Sequence, residues 1–172
     1  MMPNASLTRM KHLLIVYHSM TGGTEQMAHA AAGAARAQGG VRVTLRRAVD
    51  TTAEELLSAD GYLFATPENL AAMSGLMKDF FDRTYYAALD RLNGRPYGVL
   101  ICAGSDGRNA AQQVDRIATG WRLRAIADPL IILTQATAPA DILRAKHIGE
   151  SDLARCAELG ATLAAGLTLG VF

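Results

Sequence analysis

Ser19, Met20, Thr21, Gly22, Gly23 and Thr24 stand in a row between a β-forming run at 13–17 and an alanine-rich stretch. Strand, hydroxyl-and-glycine loop, then helix start is an arrangement that grips an anion. Backbone N–H groups of the loop and of the first helical turn point at the charge. The hydroxyls add donors, and the glycines let the backbone approach without a Cβ in the way. The loop lacks the GK[ST] ending of a Walker loop and the spacing of the G-x-G-x-x-G dinucleotide fingerprint. It contains no basic residue. Amides, hydroxyls and the helix dipole alone would then hold a single terminal phosphate. The plainer reading is a strand-to-helix turn with Ser/Thr caps.

Two other segments combine turn residues with chemistry. Thr66, Pro67, Glu68, Asn69 and Leu70 follow an apolar run and lead into AAMSGLMKDFFDRTYY. Residues 102–108 read C-A-G-S-D-G-R, which spells the C-x5-R of cysteine phosphatases. A thiolate nucleophile with an arginine on the phosphate is sound chemistry. Here, however, Asp106 would sit inside the anion cradle, Asn109 follows the arginine, and Ile101 precedes the cysteine. Cys102 reads better as a small apolar residue ending a buried strand. No histidine belongs to a constellation: His18 tops the first strand, and His12, His29 and His147 read as surface residues. Trp121 is expected to pack, although covering a ligand is the competing role. Whether Tyr85 and Tyr86 reach a ligand is open at this level. No spacing suggests a metal site, and Cys102 and Cys156 suggest no disulfide framework, which points to a reducing, cytoplasmic setting.

These segments must be positioned by the elements around them. Strands are predicted at 12–17, 41–46, 61–65, 97–102 and 126–133, and helices at 23–38, 73–90, 107–120 and 151–167, with a short turn at 53–57. The first, third and fourth strands are nearly continuous apolar runs, as in parallel strands buried on both faces. Pro129 argues that the last strand lies at an edge. Ser151 with Asp152 suggests a helix start. Alternation of this kind gives an α/β, doubly wound parallel sheet of five strands. Ligands of such sheets bind beyond the C-terminal strand ends, where the loops 18–24, 66–72 and 103–108 all emerge. Half the residues are apolar and 19% are charged, which implies an ordered globular chain. A net charge of +1 provides no field to recruit nucleic acid or a membrane surface. Residues 1–11 are expected to be a disordered tail, with too few apolar residues for a signal-peptide core, and 12–172 a single domain.

The S-M-T-G-G-T loop resembles the phosphate loop of flavodoxin-like FMN proteins. The second segment is similar to the T-P-x-x-x-G-x-x-x-G-x-x-K-x-F-x-D signature of the NADPH-dependent FMN reductase and WrbA-like quinone reductase branch. Thr66, Pro67, Ser74, Gly75, Lys78, Phe80 or Phe81, and Asp82 match in order. Ala71 or Ala72 stands where that branch often has glycine, and the aromatic residue common there is missing. The resemblance implies the flavodoxin-like sheet order 2-1-3-4-5 with helices on both faces. It also implies noncovalent FMN, its phosphate on residues 19–24. The ring would lie against Thr66, Pro67, Glu68, Asn69 and Leu70 and against Ala103, Gly104, Ser105, Asp106 and Gly107. With the flavin doing the chemistry, no catalytic side chain is required. The implied activity is an NAD(P)H-dependent oxidoreductase passing electrons to a quinone, flavin or other acceptor, as a homodimer or homotetramer. An electron-carrier flavodoxin is the alternative, but such carriers are typically strongly acidic and this chain is neutral. A C-x5-R phosphatase is the remote one.

Overall fold

The computed structural model describes residues 9–172. Most of the tail expected over 1–11 lies outside the described residues, and Lys11 already opens the first strand. In chain order the elements are β1 (Lys11–Tyr17), α1 (Gly23–Gln38), β2 (Val41–Arg47), α2 (Ala53–Ser58), β3 (Gly61–Asn69), β4 (Ala72–Met73) and α3 (Gly75–Ala88). There follow β5 (Pro96–Ala103), α4 (Arg108–Gly120), β6 (Arg124–Ala125), β7 (Leu130–Leu133), α5 (Pro139–Leu143) and α6 (Glu150–Leu169). The sheet runs β2-β1-β3-β5-β6, with β7 also on β5 and β4 folded back on β3. All pairings are parallel except β3 with β4. This is the doubly wound, flavodoxin-like order expected.

Apolar side chains leave the sheet on both faces. On one face Phe64, Phe80, Phe81 and Trp121 join the core beneath α3 and α4. On the other, Leu13, Ile15 and Leu100 pack against Ala28, Ala31 and Ala32 of α1 and Leu163 of α6. The small alanine face brings α1 and α6 together: any Cβ on Gly160 would collide with the Ala31 backbone. Local signals mark several helix starts. Thr52 and Glu55 form a reciprocal capping box on α2, and the Ser74 hydroxyl accepts from the Met77 amide at the start of α3.

Three expectations change. The last strand is not continuous over 126–133: β6 pairs with the beginning of β5 and β7 with its end, and Pro129 lies in the gap. Proline has no N–H to give the ladder, so the edge strand breaks there. The helix expected to start at Ser151 starts at Glu150, with Gly149 as its N-cap and no side-chain cap. His12 is not a surface residue but only 3% exposed. Its Nε2 lies 2.9 Å from the Thr44 hydroxyl and its Nδ1 3.1 Å from the Arg42 guanidinium. Burial, helped by the Arg42 charge, lowers its pKa.

Candidate functional site

The loops leaving β1, β3 and β5 at their C-terminal ends meet in one cleft of about 490 Å³, a normal volume for a small-molecule site. The first wall is built by the turn into α1. Gly22 takes φ +88° at the N-cap, a left-handed conformation that L side chains resist, and its amide donates to the Ser19 hydroxyl at 3.1 Å. Gly23 packs so closely on Cys102 that an added Cβ would lie 2.6 Å from Sγ. The amides of Thr21, Gly23, Thr24 and Glu25 have no backbone acceptor among the described residues, as befits a helix N-terminus. The Thr24 hydroxyl is buried without a hydrogen-bond partner. An orphaned hydroxyl beside free amides is what an anion cradle presents.

The second wall is a hairpin that the sequence does not advertise. β3 continues through Pro67 to Asn69, turns, and returns as β4, with Glu68 opposite Met73 and Asn69 opposite Ala72. The two turn residues, Leu70 and Ala71, have φ of 50° and 61°. Such two-residue turns ordinarily require Asn-Gly or a similar pair. The strained turn is held from α4: the Asn109 side-chain amide donates to the Ala71 carbonyl at 2.5 Å, and the Gln113 carbonyl accepts from the Met73 amide at 2.9 Å. Leu70 and Ala71 leave their own amides without a backbone acceptor among the described residues. Thr66 is fully buried, and its hydroxyl accepts from the Ser74 amide and donates to the Pro67 carbonyl. It braces the hairpin from behind and does not line the cleft.

The third wall is 102–105. Ala103, Gly104 and Ser105 line the cleft; Asp106 and Gly107 do not. Asp106 turns outward and binds Arg108 through Nε at 2.6 Å, an exposed pair whose mutual hydrogen bond holds the Asp106 carboxyl below its usual range. Cys102 lies in the cleft lining, where burial pushes its thiol up and the Lys146 charge offsets that only in part. Thr24 lacks the geometry of a hydrogen bond to it. The C-x5-R segment therefore presents no ready thiolate, and its arginine, 84% exposed, is turned to its own carboxylate.

A fourth wall went unrecognised in the sequence. Thr134, Ala136, Ile142, Leu143 and Lys146, after β7, also line the cleft. The amides of Thr134 and Gln135 donate to the carbonyls of Ala103 and Gly104, and the Lys146 amide donates to that of Thr21. A lysine thus stands beside a cradle that has no basic residue in its own sequence. Its ammonium is engaged, donating to the carbonyls of Asp141, Ile142 and Arg144 at 2.6–2.9 Å. Trp121 is 3% exposed and packs edge-on against Phe81, outside the cleft, and neither Tyr85 nor Tyr86 lines it. His18 lies beside the 19–24 loop with its ring against the Met20 sulfur.

The lining combines an anion cradle at one end with an apolar slot edged by Met20, Leu70, Ala71, Ala103, Ile142 and Leu143. Residues whose amides have no backbone acceptor among the described residues line it from two loops: Thr21, Gly23 and Thr24 from one, Leu70 and Ala71 from the other. No histidine lines it, and no paired acid and base. Its residues can hold and polarise a flat anionic molecule, and proton-transfer catalysis between side chains has no pair to run on. Among the described residues no cluster of His, Cys, Asp and Glu could hold a metal ion, and no helix is long and apolar enough to cross a membrane.

The model of a family described as NADPH-dependent FMN reductase matches residues 42–138. That is more than half of the chain and includes the second and third walls. An NAD(P)H dehydrogenase (quinone) from Acidithiobacillus ferrooxidans is 36% identical over 95 residues, covering 44% of this chain and 48% of that protein. A flavodoxin from Aquifex aeolicus is 36% identical over 96 residues, covering 56% and 50%. The chain thus spans about half the length of the curated relatives it matches. Among solved structures, a flavodoxin from the domain Archaea shares the fold at a TM-score of 0.75 and 22% identity, over 91% of this chain and 98% of that one.

Proposed function

Because the chain belongs to the NADPH-dependent FMN reductase family, we propose that its cleft holds FMN noncovalently and that the protein passes electrons from NAD(P)H to a quinone, a free flavin or another small acceptor. One observation carries this reading. A buried, unpartnered Thr24 hydroxyl and free helix-start amides share a single cleft with an apolar slot edged by further free amides.

The residues present fit the cofactor. The amides of Thr21, Gly23 and Thr24 and the hydroxyls of Ser19, Thr21 and Thr24 would take the phosphate. Pro67, Glu68, Asn69 and Leu70 with Ala71 would flank the ring on one side, and Ala103, Gly104 and Ser105 on the other. Bound FMN would supply the hydride and electron chemistry. The amides of Leu70 and Ala71, which have no backbone acceptor among the described residues, would be the donors available to a ring as it gains electron density. Leu70, Leu143 and Met20 are exposed around the cleft mouth and would cover the edge of a bound ring. The name of the Acidithiobacillus relative supports a quinone as one acceptor class.

An electron-carrier flavodoxin is the second reading, favoured by the name of the Aquifex relative. The near-neutral chain lacks the acidic field by which carriers dock basic partners.

Titrating the apoprotein with FMN tests the cofactor assignment. Saturable binding with quenching of flavin fluorescence is expected. A protein that FMN does not saturate refutes it.

A further inference from the structure

Gln26 lies on the first turn of α1, two residues after Thr24, and uses its whole side-chain amide. Nε2 donates to the Gly22 carbonyl at 2.9 Å and to the Lys146 carbonyl at 2.8 Å, while Oε1 accepts from the Ile148 amide at 3.1 Å. Lys146 reciprocates through its own backbone, donating from N–H to the Thr21 carbonyl at 2.8 Å. Its Cβ and the Ile148 side chain fill the space against Gly23. The segment between β7 and α6 is therefore tied at both ends: to Ala103 and Gly104 where it begins, and to the 19–24 loop where it finishes. Between the ties, α5 buries none of its side chains, yet Ile142 and Leu143 line the cleft. Lys146 Nζ closes that stretch on itself by capping three of its carbonyls.

The electrostatic consequence falls on the cradle. A phosphate site needs donors facing inward and carbonyl oxygens facing elsewhere, since each lone pair left pointing at the anion repels it. The carbonyls of Thr21 and Gly22 belong to the loop itself, and that of Lys146 is tied beside it through Gln26. Each accepts a hydrogen bond: Thr21 from the Lys146 amide, Gly22 from both the backbone amide and the side chain of Gln26, and Lys146 from the Gln26 side chain alone.

We propose that Gln26 is a positioning residue for the phosphate end of the site, clamping the 146–148 end of the strap to the start of α1 so that the Gly22 and Lys146 carbonyls stay turned away from the cradle. Gln26 touches no part of the ring slot, so it bears on the phosphate alone. Ile142 and Leu143 are held by ties of their own, from the amides of Thr134 and Gln135 to Ala103 and Gly104 and from the Lys146 Nζ cap. The role of Gln26 rests on the FMN reading above.

The test compares FMN with riboflavin, which has the same ring and no phosphate, by fluorescence titration of the wild-type protein and of Gln26→Met. Methionine keeps the length and helix propensity and removes the three side-chain hydrogen bonds while leaving the helical one to Gly22. The expected result is a loss of about tenfold in FMN affinity, as for two or three hydrogen bonds removed from a loop that stays folded, with riboflavin affinity unchanged. Equal losses for both flavins would mean a merely structural role, and no loss for either would mean that the clamp does not shape the cradle; either overturns the proposal. A wild-type protein that binds neither flavin would overturn the FMN reading itself, and with it this one. Wild-type binding of FMN no tighter than riboflavin would overturn the phosphate cradle while leaving the ring site standing.

Discussion

The Thr24 hydroxyl is buried opposite nothing that completes it, and such a group costs a fold roughly 1–3 kcal/mol unless a ligand supplies the missing bond. Its removal therefore has two expected effects of opposite sign. Thr24→Val should leave the apoprotein at least as stable, because a methyl replaces an unsatisfied polar atom. The same change should weaken FMN binding by about 1–3 kcal/mol, the worth of a hydrogen bond to a charged group. Thermal unfolding of the apoprotein and a flavin titration read the two effects separately. Unchanged FMN affinity would remove Thr24 from the phosphate site. The donors of this loop were legible in the sequence because strand, loop and helix start are contiguous there. Gln26 and Lys146 were not, since their hydrogen bond joins positions 120 residues apart and neither residue belongs to a local motif. His12 was misread for a related reason: what buries it is Arg42 and Thr44 on the neighbouring strand, and no pattern in its own segment announces them.

The hairpin closing β3 on β4 holds two non-glycine residues at positive φ, where an L side chain pays roughly 1–2 kcal/mol each. Ala71→Gly should raise the stability of the apoprotein by about 1 kcal/mol, measured by urea unfolding, because glycine adopts φ of 61° without penalty. A fall in stability would show that the turn is not strained. The strain is tolerated because α4 grips the turn through Asn109 and Gln113, and strained backbone of this kind concentrates at functional sites. No sequence rule reveals such a turn: Leu-Ala is a poor pair for it by propensity, and tertiary contacts override that preference. The edge strand is the converse case. Pro129 announced an edge correctly, yet the apolar pattern on either side concealed that the strand divides around it.

Across the whole molecule, the parallel order β2-β1-β3-β5 brings three C-terminal loops to one end, as crossover topology requires. That much was legible because buried parallel strands read as apolar runs. The strap was not: it is rich in exposed residues and takes its place only through contacts with loops far from it in sequence. The assembled cleft supplies an anion-binding loop, apolar walls and amide donors, and the chemistry proposed for it is that of a bound flavin reduced by a nicotinamide. Anaerobic titration of the FMN-loaded protein with NADPH, and in parallel with NADH, tests this most directly. The flavin absorbance is expected to bleach stoichiometrically with at least one of the two donors. Flavin that dithionite bleaches but neither nicotinamide reduces would contradict it and identify an electron carrier instead.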